Sequence, residues 1–541
     1  MKKKIYKIAL VLLLTPTIQI FNSCNNAIDI IQDGEINDET VFTSVENMKS
    51  YLLSVYNSVD VSNEIYFTSI FTDEVGNGAG YNGSDASLHR FYLSSNESTV
   101  SNIWLSHNRS IDRVNRFLRG AEMITPEASE EAEYQDAIAQ AKVLRAYNYL
   151  QLEAFFSTDM KDETALGVIY SDKVQEISAK PQRSTNAEIY KLIEEDLSFA
   201  DKYLDPQYSY SSISPYMVVN ENLVNSIRAR FYLYTGDYEK AKIYAQKVID
   251  ESGLSLTEAT PLVPSNITAT IGSSTWNTNY YGNASGTVES VNPYRKMWAD
   301  KDQGEVIFAL SRPANGDYGN IAGLFATNRT TNTGAIIWDM GRNLFNIINE
   351  TDVKSIGGNL LSGDIRRYAY IDPSSKISES YLEDVNFKVT DNLVIDKYPG
   401  KIGTSYLLRN DIKIFRLSEM YFILAECAVQ DSNLSLASDY INKVRKARYF
   451  NSVPAKVDYA NQKEAYADIL KERRVELCFE GHRYIDLKRL GELAGAAIDR
   501  NITDDIITSM PTTIPYDYRF TLPIPLNEIQ GNPNIQQNPG Y

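Results

Sequence analysis

The stretch NSIRARFYLYTGDYEKAKIYAQKVI at 225–249 constrains the fold of this chain more than any bulk property does. It reads as a helix, a tight turn at Gly236–Asp237 and a second helix led by Tyr238. Glycine and aspartate are the residue types such turns favour. Ala241 and Ala245 are small enough to let the paired helices approach closely. The layout recurs in LSEMYFILAECAVQDSNLSLASDYINKVR at 417–445, with Ala425, Ala428 and Ala437 at the contacts, and more weakly at 137–156 and 186–204. Helix pairs that bury their apolar faces against one another predict a stacked scaffold of tetratricopeptide type. Helical periodicity also runs through 44–60, 101–122 and 130–156. The first of these opens with Ser44 in cap position and sets Met48, Tyr51, Leu52, Val55 and Tyr56 at i, i+3, i+4 spacing.

Between the clear repeats, residues 252–410 change character. Ser, Thr, Asn, Gly and Tyr take over, and short strand-like runs such as Val306–Leu310 appear. This region holds Trp276, Trp298 and Trp338, three of the four tryptophans. Disordered chain is poor in aromatics, so an ordered functional insertion is expected. The whole chain carries 37 tyrosines against 19 phenylalanines, a surplus of rings with a polar edge that points towards recognition.

Residues 469–491 read ILKERRVELCFEGHRYIDLKRLG. Tyr466, Ile469, Leu470 and Leu477 make one apolar stripe, and Arg473 falls inside it. A buried charge must be paired, and Glu476 and Glu480 lie on the same side, so an Arg473–Glu476–Glu480 network is predicted. Cys427 and Cys478 lack metal or redox spacing and read as small buried hydrophobes, although a pairing between them stays open. His89, His107 and His482 are too scattered for a zinc site.

The amino terminus offers Lys2, Lys3, Lys4 and Lys7, an apolar run from Ile8 to Leu14, and Ser23 directly before Cys24. That run is well short of the roughly 20 residues a spanning helix needs. The pattern reads as a signal peptide over 1–23, with Cys24 as the acylated first residue of the mature protein. Ordinary cleavage beside an incidental cysteine is the other reading. Each buried methylene adds about 0.8 kcal/mol, so more than one chain, palmitate among them, makes a lasting anchor. Removing the signal leaves 49 basic residues against 70 acidic, a charge near −21 that repels phosphate backbones and argues against nucleic acid.

The run at 469–491, the upstream FRLSEMYFILAECAVQ and the ending LPIPLNEIQGNPNIQQNPGY together resemble the SusD/RagB family of outer-membrane nutrient-binding lipoproteins. VFTSVENMKSYLLSVYNSV at 41–59 and AKVLRAYNYLQLEAFF at 141–156 extend the likeness over nearly the whole mature chain. The resemblance implies a mostly α fold: a tetratricopeptide-like helical-pair scaffold with a large loop-rich ligand-binding insertion. It implies one SusD-like domain over 24–541, with scaffold at about 40–251 and 411–495, the loop-rich region at about 252–410, and an extended tail at 511–541. It further implies a non-catalytic, cofactor-free glycan-binding lipoprotein of the outer membrane that faces the cell surface and delivers oligosaccharide to a SusC-like TonB-dependent transporter. A glycoside hydrolase and a repeat scaffold that binds only proteins are the alternatives.

A pyranose is bound by a ring laid on its C–H face and by amides and carboxylates at its rim. Trp276, Tyr280, Tyr281, Tyr294 and Trp298 put five aromatics among 23 residues, with Asn277, Asn279, Asn283 and Asn292 between them. They form either a ligand platform or a small loop core, and the platform is the reading carried forward. Trp338, with Asp339 and Arg342, is a second candidate patch. In FTDEVGNGAGYNG at 71–83, Gly78, Gly80 and Gly83 spell a GxGxxG that lacks the βαβ setting of a dinucleotide site. It reads as a glycine loop presenting Asp73, Asn77 and Tyr81 to ligand. Trp104 sits on a helical pattern and is expected in the core. No metal ligands and no catalytic carboxylate pair are marked out.

Overall fold

The computed structural model describes residues 41–541 apart from 177, 209, 211–212, 264–267, 272, 283–287, 313–320, 326–335, 351–353, 357–358, 362, 373–374, 376–392, 402–408 and 451–452. Cys24 and Asn283 therefore lie outside the described residues.

The fold is mostly α. Helices α1 (Val45–Ser58) and α2 (Ser62–Phe71) precede strand β1 (Val75–Asn77), the short α3 (Ala86–His89), α4 (Ser98–Ala121), α5 (Glu131–Phe156) and α6 (Asn186–Tyr203). Then come α7 (Glu221–Thr235), α8 (Tyr238–Glu251), α9 (Ser274–Tyr281), α10 (Pro293–Trp298), β2 (Val306–Leu310), β3 (Trp338–Met340) and α11 (Arg342–Glu350). The remainder is β4 (Lys354–Ile356), β5 (Asn359–Leu361), α12 (Arg366–Ala369), β6 (Ile412–Arg416), α13 (Leu417–Gln430), α14 (Leu434–Arg448), α15 (Gln462–Glu476), α16 (Arg483–Ala494) and α17 (Leu526–Gly531).

The predicted helical pairs form for local reasons. The Asn220 side chain accepts from the Leu223 amide at 3.0 Å to start α7, and Gly236 ends it at φ 85°. Asp237 then accepts from the Lys240 amide at 3.1 Å and opens α8. Ala241 and Ala245 are fully buried at the α7–α8 contact, and α8 also packs against α13, so the two clear units stack on each other. In the second unit Ser432 turns at φ 57° and Asn433 caps α14 through the Leu436 amide. Ser44 caps α1 as predicted, and Trp104 is in the core, edge-on to Phe156. Cys427 and Cys478 are both buried and free.

Two antiparallel pairings tie the loop-rich region to this scaffold. β2 pairs with β6, which runs straight into α13, and β1 pairs with β3 through Val75–Met340, Gly76–Asp339 and Asn77–Trp338. A dense buried ion network sits behind β6. Glu476 accepts from Arg416 at 2.6 Å, from Arg448 at 2.8 Å and from Arg366 at 3.1 Å. Glu305 is shared by Arg416 and Arg448, each at 2.8 Å. Burial alone raises the Glu476 carboxyl, but Arg448 and Arg416 hold it well below the usual carboxylate range.

The predicted partners of Arg473 need correction. Arg473 pairs with Asp486 at 2.8 Å and lies 3.7 Å from Glu426. Helix α15 stops at Glu476, and the chain reverses through Phe479 at φ 62° and Gly481 at φ 85°. Glu480 thus leaves the helix face for Lys397 and Arg416, and α16 returns Asp486 over the guanidinium.

Candidate functional site

The platform expected at 276–298 is not what these rings form. Trp276 is 3% exposed and stacks on Tyr280 at 4.8 Å, with its indole donating to the Leu262 carbonyl at 2.9 Å. The Tyr281 hydroxyl donates to the carbonyls of Tyr368 and Ile371, and the Tyr294 hydroxyl meets that of Tyr370 at 2.7 Å. Trp298 is wholly buried, with Lys397 4.5 Å and Arg416 5.3 Å from its ring centre. Asn292 caps α10 through the amides of Tyr294 and Arg295, and Asn279 donates back to Thr275. Short helices α9 and α10 fold inwards against 368–371 and 398, so the five rings fill a loop core and leave no face for a sugar.

The glycine segment behaves differently from residue to residue. Asp73 is 1% exposed and holds Arg483 bidentately, both contacts at 2.8 Å, while accepting from the Asp499 amide. Burial opposes its charge, but Arg474 and Arg483 keep the carboxyl far below its ordinary range. Asn77 is buried and accepts from the Ile506 amide at 3.0 Å. Asp73 and Asn77 are therefore framework residues, not ligands. Arg342 is likewise buried, its amide donating to Asp504, and Asp339 is 9% exposed.

Tyr81 does reach the surface, half-buried, with its ring centre 5.2 Å from that of Trp338. Gly78 makes this possible: a Cβ there would lie 2.5 Å from the Ile336 carbonyl oxygen, so only glycine lets the loop lie flat along the strand. Trp338 is itself buried and supports Tyr81 from below, with the His89 ring also 5.2 Å away. Burial, reinforced by Arg500, lowers His89 to about 4, so it is neutral beneath Trp338. The Trp338 indole faces the Tyr66 hydroxyl at 3.4 Å, and that hydroxyl donates to Asp85 at 2.7 Å. Asp85 sits at φ 52°, an uncommon setting for a non-glycine residue. Arg90 beside it is held bidentately by Asp505 at 2.9 and 3.0 Å.

The arrangement is a half-exposed ring with carboxylate, hydroxyl and amide groups at its rim, Asn82 and Ser84 lying exposed on the same loop. Of the predicted site residues, the structure brings together Tyr81, Trp338, Asp73 and Asn77 on the β1–β3 side and keeps the 276–298 rings apart in their own core. Sequence reasoning missed Tyr66, Asp85, Arg90 and Asp505. Tyr66 sits in a helix with no clear apolar stripe to set it apart, and Arg90 and Asp505 are 415 residues apart.

The chain matches known proteins along most of its length. A family model described as SusD family matches residues 364–541, and one described as starch-binding associating with outer membrane matches 28–233. SusD-like protein P38 of Formosa agariphila is 23% identical over 567 positions, covering 100% of both chains. SusD-like protein P25 of the same organism is 33% identical over 132 residues, 24% of each chain. A SusD superfamily protein from Bacteroides thetaiotaomicron superposes with a TM-score of 0.70 at 23% identity, covering 92% of this chain and 100% of that one. A SusD-like carbohydrate binding protein from Bacteroides vulgatus gives 0.64 at 18%, covering 91% and 97%. At such identities these structures speak to the fold alone, while the two sequence families agree with it from both halves of the chain. The chain belongs to the SusD/RagB family.

Proposed function

We propose that this protein is a non-catalytic glycan-binding lipoprotein of the outer membrane, that Tyr81 is its central sugar-stacking ring, and that it hands oligosaccharide to a TonB-dependent barrel transporter. The observation that carries the reading is the Tyr81 ring, propped from beneath by Trp338 and bordered by Asp85, Tyr66 and Asn82. A ring face removes C–H surface from water, and the polar rim replaces the hydrogen bonds a sugar gives up. The family description of starch binding and outer-membrane association supports the same reading. Anchoring falls to Cys24, and among the described residues no helix is long and apolar enough to cross a membrane.

The non-catalytic reading is supported by the carboxylates. A glycosidase needs one carboxyl raised enough to act as acid beside a second across the scissile bond. Burial tends to raise Asp505, but the adjacent His89 and Arg90 hold it well below the carboxylate range. Glu74 and Glu153, which burial pushes up to about 7, are fully buried.

Tyr81→Ala is expected to weaken glycan binding at least tenfold, about 1.4 kcal/mol, in calorimetry with an unchanged melting temperature. Equal affinity would remove Tyr81 from the site. Cys24→Ser is expected to shift the protein out of the membrane fraction, and persistence there would remove the lipid anchor. Release of reducing ends on incubation with polysaccharides would overturn the non-catalytic reading.

A further inference from the structure

The carboxyl ends of α5 and α7 and the middle of α16 enclose a cavity of about 310 Å³ that shares no residue with the Tyr81 site. Met160, Tyr234 and Ile485 are its buried walls, while Asp159 and Lys161 stand exposed at its mouth. That volume lies at the small end of ligand pockets, which run from roughly 300 to 1,000 Å³. Lys488 of α16 lines the same cavity.

The Lys488 Nζ donates to the carbonyls of Ala154 at 3.0 Å and Ser157 at 2.6 Å, groups that α5 leaves open at its end. A lysine that caps a helix in this way is ordinarily a solvated ammonium. Here, among the described residues, no carboxylate pairs with it and no third acceptor meets it. An ammonium would therefore keep one N–H unmatched and its charge unpaired, which burial penalises. A neutral amine has two N–H bonds for the two carbonyls, and its lone pair takes a remaining tetrahedral position. Burial lowers the amine from 10.5 to about 8, with Glu153 of α5 and Asp159 of the following loop opposing the shift. The other charges around the cavity are cations. Arg489 of α16 is held by Glu426 at 2.9 Å and lies 4.8 Å from the Tyr234 ring centre on α7, and Lys161 donates to the Tyr238 hydroxyl at 3.2 Å. Neither restores the charged form of Lys488.

We propose that Lys488 is a nucleophilic amine that captures a small aldehyde, the open-chain form of a reducing sugar among them, as an aldimine inside this cavity. The Nζ lone pair adds to the carbonyl carbon and gives a carbinolamine. The oxygen then leaves as water with the two amine hydrogens, and a C=N bond replaces the C=O bond, so no oxidant or reductant is consumed. Desolvation in an enclosed pocket is one of the ways a lysine becomes such a nucleophile. Once protonated, the aldimine carries one N–H, enough to hold one of the two carbonyls. The site is separate from Tyr81 and stands whether or not that ring binds glycan.

The test needs only the wild-type protein. It is incubated with glycolaldehyde and cyanoborohydride, which reduces an aldimine to a stable secondary amine, and the labelled peptides are followed by mass spectrometry. Lys191, with its side chain 78% exposed, is the comparator. At pH 7 Lys488 is expected to be labelled at least tenfold faster than Lys191. That advantage is expected to shrink between pH 8 and 10, where an ordinary lysine, with a pKa of about 10.4, gains neutral form and Lys488 has little left to gain. An aldehyde carried on dextran is expected to label Lys191 and spare Lys488, because the polymer cannot enter the cavity. Labelling of Lys488 no faster than Lys191 at pH 7, or an advantage unchanged up to pH 10, overturns the neutral nucleophile. Equal labelling of both lysines by the dextran-borne aldehyde overturns the cavity as the place of capture.

Discussion

Two aromatic-rich regions of this molecule look alike in composition and do opposite things. Residues 276–298 carry Trp276, Tyr280, Tyr281, Tyr294 and Trp298, all at most 7% exposed and each packed against neighbouring rings. Residues 66–92 carry Tyr66, Tyr81 and Tyr92, all reaching the surface with carboxylates or guanidinium groups at their edges. The difference lies in the backbone. Regular short helices turn the first set inwards, whereas in the second a flat glycine loop and two left-handed residues, Asp85 and Phe91, turn Tyr81 and Tyr92 outwards, next to a Tyr66 carried by helix α2. Aromatic density marks an ordered region, and exposure decides whether it recognises anything.

The comparison breaks most visibly at the charged base of the interior region. Glu476→Ala strips three arginines of their shared partner, and loss of one member of a buried pair costs about 3–5 kcal/mol. Chemical denaturation is expected to show that loss, with no folded fraction at all as the extreme outcome. A variant that keeps wild-type stability would mean the network contributes nothing.

Next in size is Trp298→Ala, where removal of a fully buried ring costs about 3–5 kcal/mol through lost burial and a residual cavity. It is expected to lower the melting temperature while the glycan affinity of the remaining folded protein stays unchanged. A stable Trp298→Ala protein that no longer binds glycan would reverse the roles assigned to the two regions.

Glu74 lies at the seam, its carbonyl accepting from Gly341 and its side chain from Ser69. Burial, opposed by Ser69 and the Phe479 amide, raises its carboxyl from 4.5 to about 7. Because the folded value exceeds the unfolded one, its contribution is fully present below pH 4.5 and is lost as pH rises to about 7. Glu74→Gln removes that loss. It is expected to stabilise the protein at pH 7.5 by up to roughly 3 kcal/mol and to flatten the pH dependence of melting across this window. Identical profiles for variant and wild type would place the ionised carboxylate comfortably inside the fold.

The smallest effect belongs to Tyr66→Phe, which deletes the hydroxyl between Trp338 and Asp85. A net hydrogen bond of about 1 kcal/mol predicts a loss of glycan affinity of up to about fivefold with little change in stability. An unchanged affinity would detach Asp85 from the rim of the site.

The scaffold was legible in the sequence wherever its causes are local. Gly236–Asp237 and the spaced alanines of α8 announce a helical pair, and Ser44 announces the start of α1, because caps and close contacts depend on neighbours a few residues away. The strand at Val306–Leu310 was legible for the same reason. The partner of Arg473 was not, because the end of α15 depends on Phe479 accepting a left-handed conformation that no composition rule anticipates. Nor could the sequence divide the rings, since their contacts with Tyr368 and Tyr370 involve residues far along the chain. Trp338 and Tyr81 were both singled out, yet only their pairing through β1 and β3 explains why one supports the other.

The reach of the Arg90–Asp505 and Asp73–Arg483 pairs, 415 and 410 residues, fixes the order in which this molecule can be completed. Contacts that close such long loops form late and slowly, because the entropy of bringing distant segments together is lost before the contact rewards it. A peptide spanning 66–92 therefore owns the rings but not the geometry. A chain halted before residue 499 lacks Asp505, and so leaves Arg90 without its carboxylate until the far segment has docked.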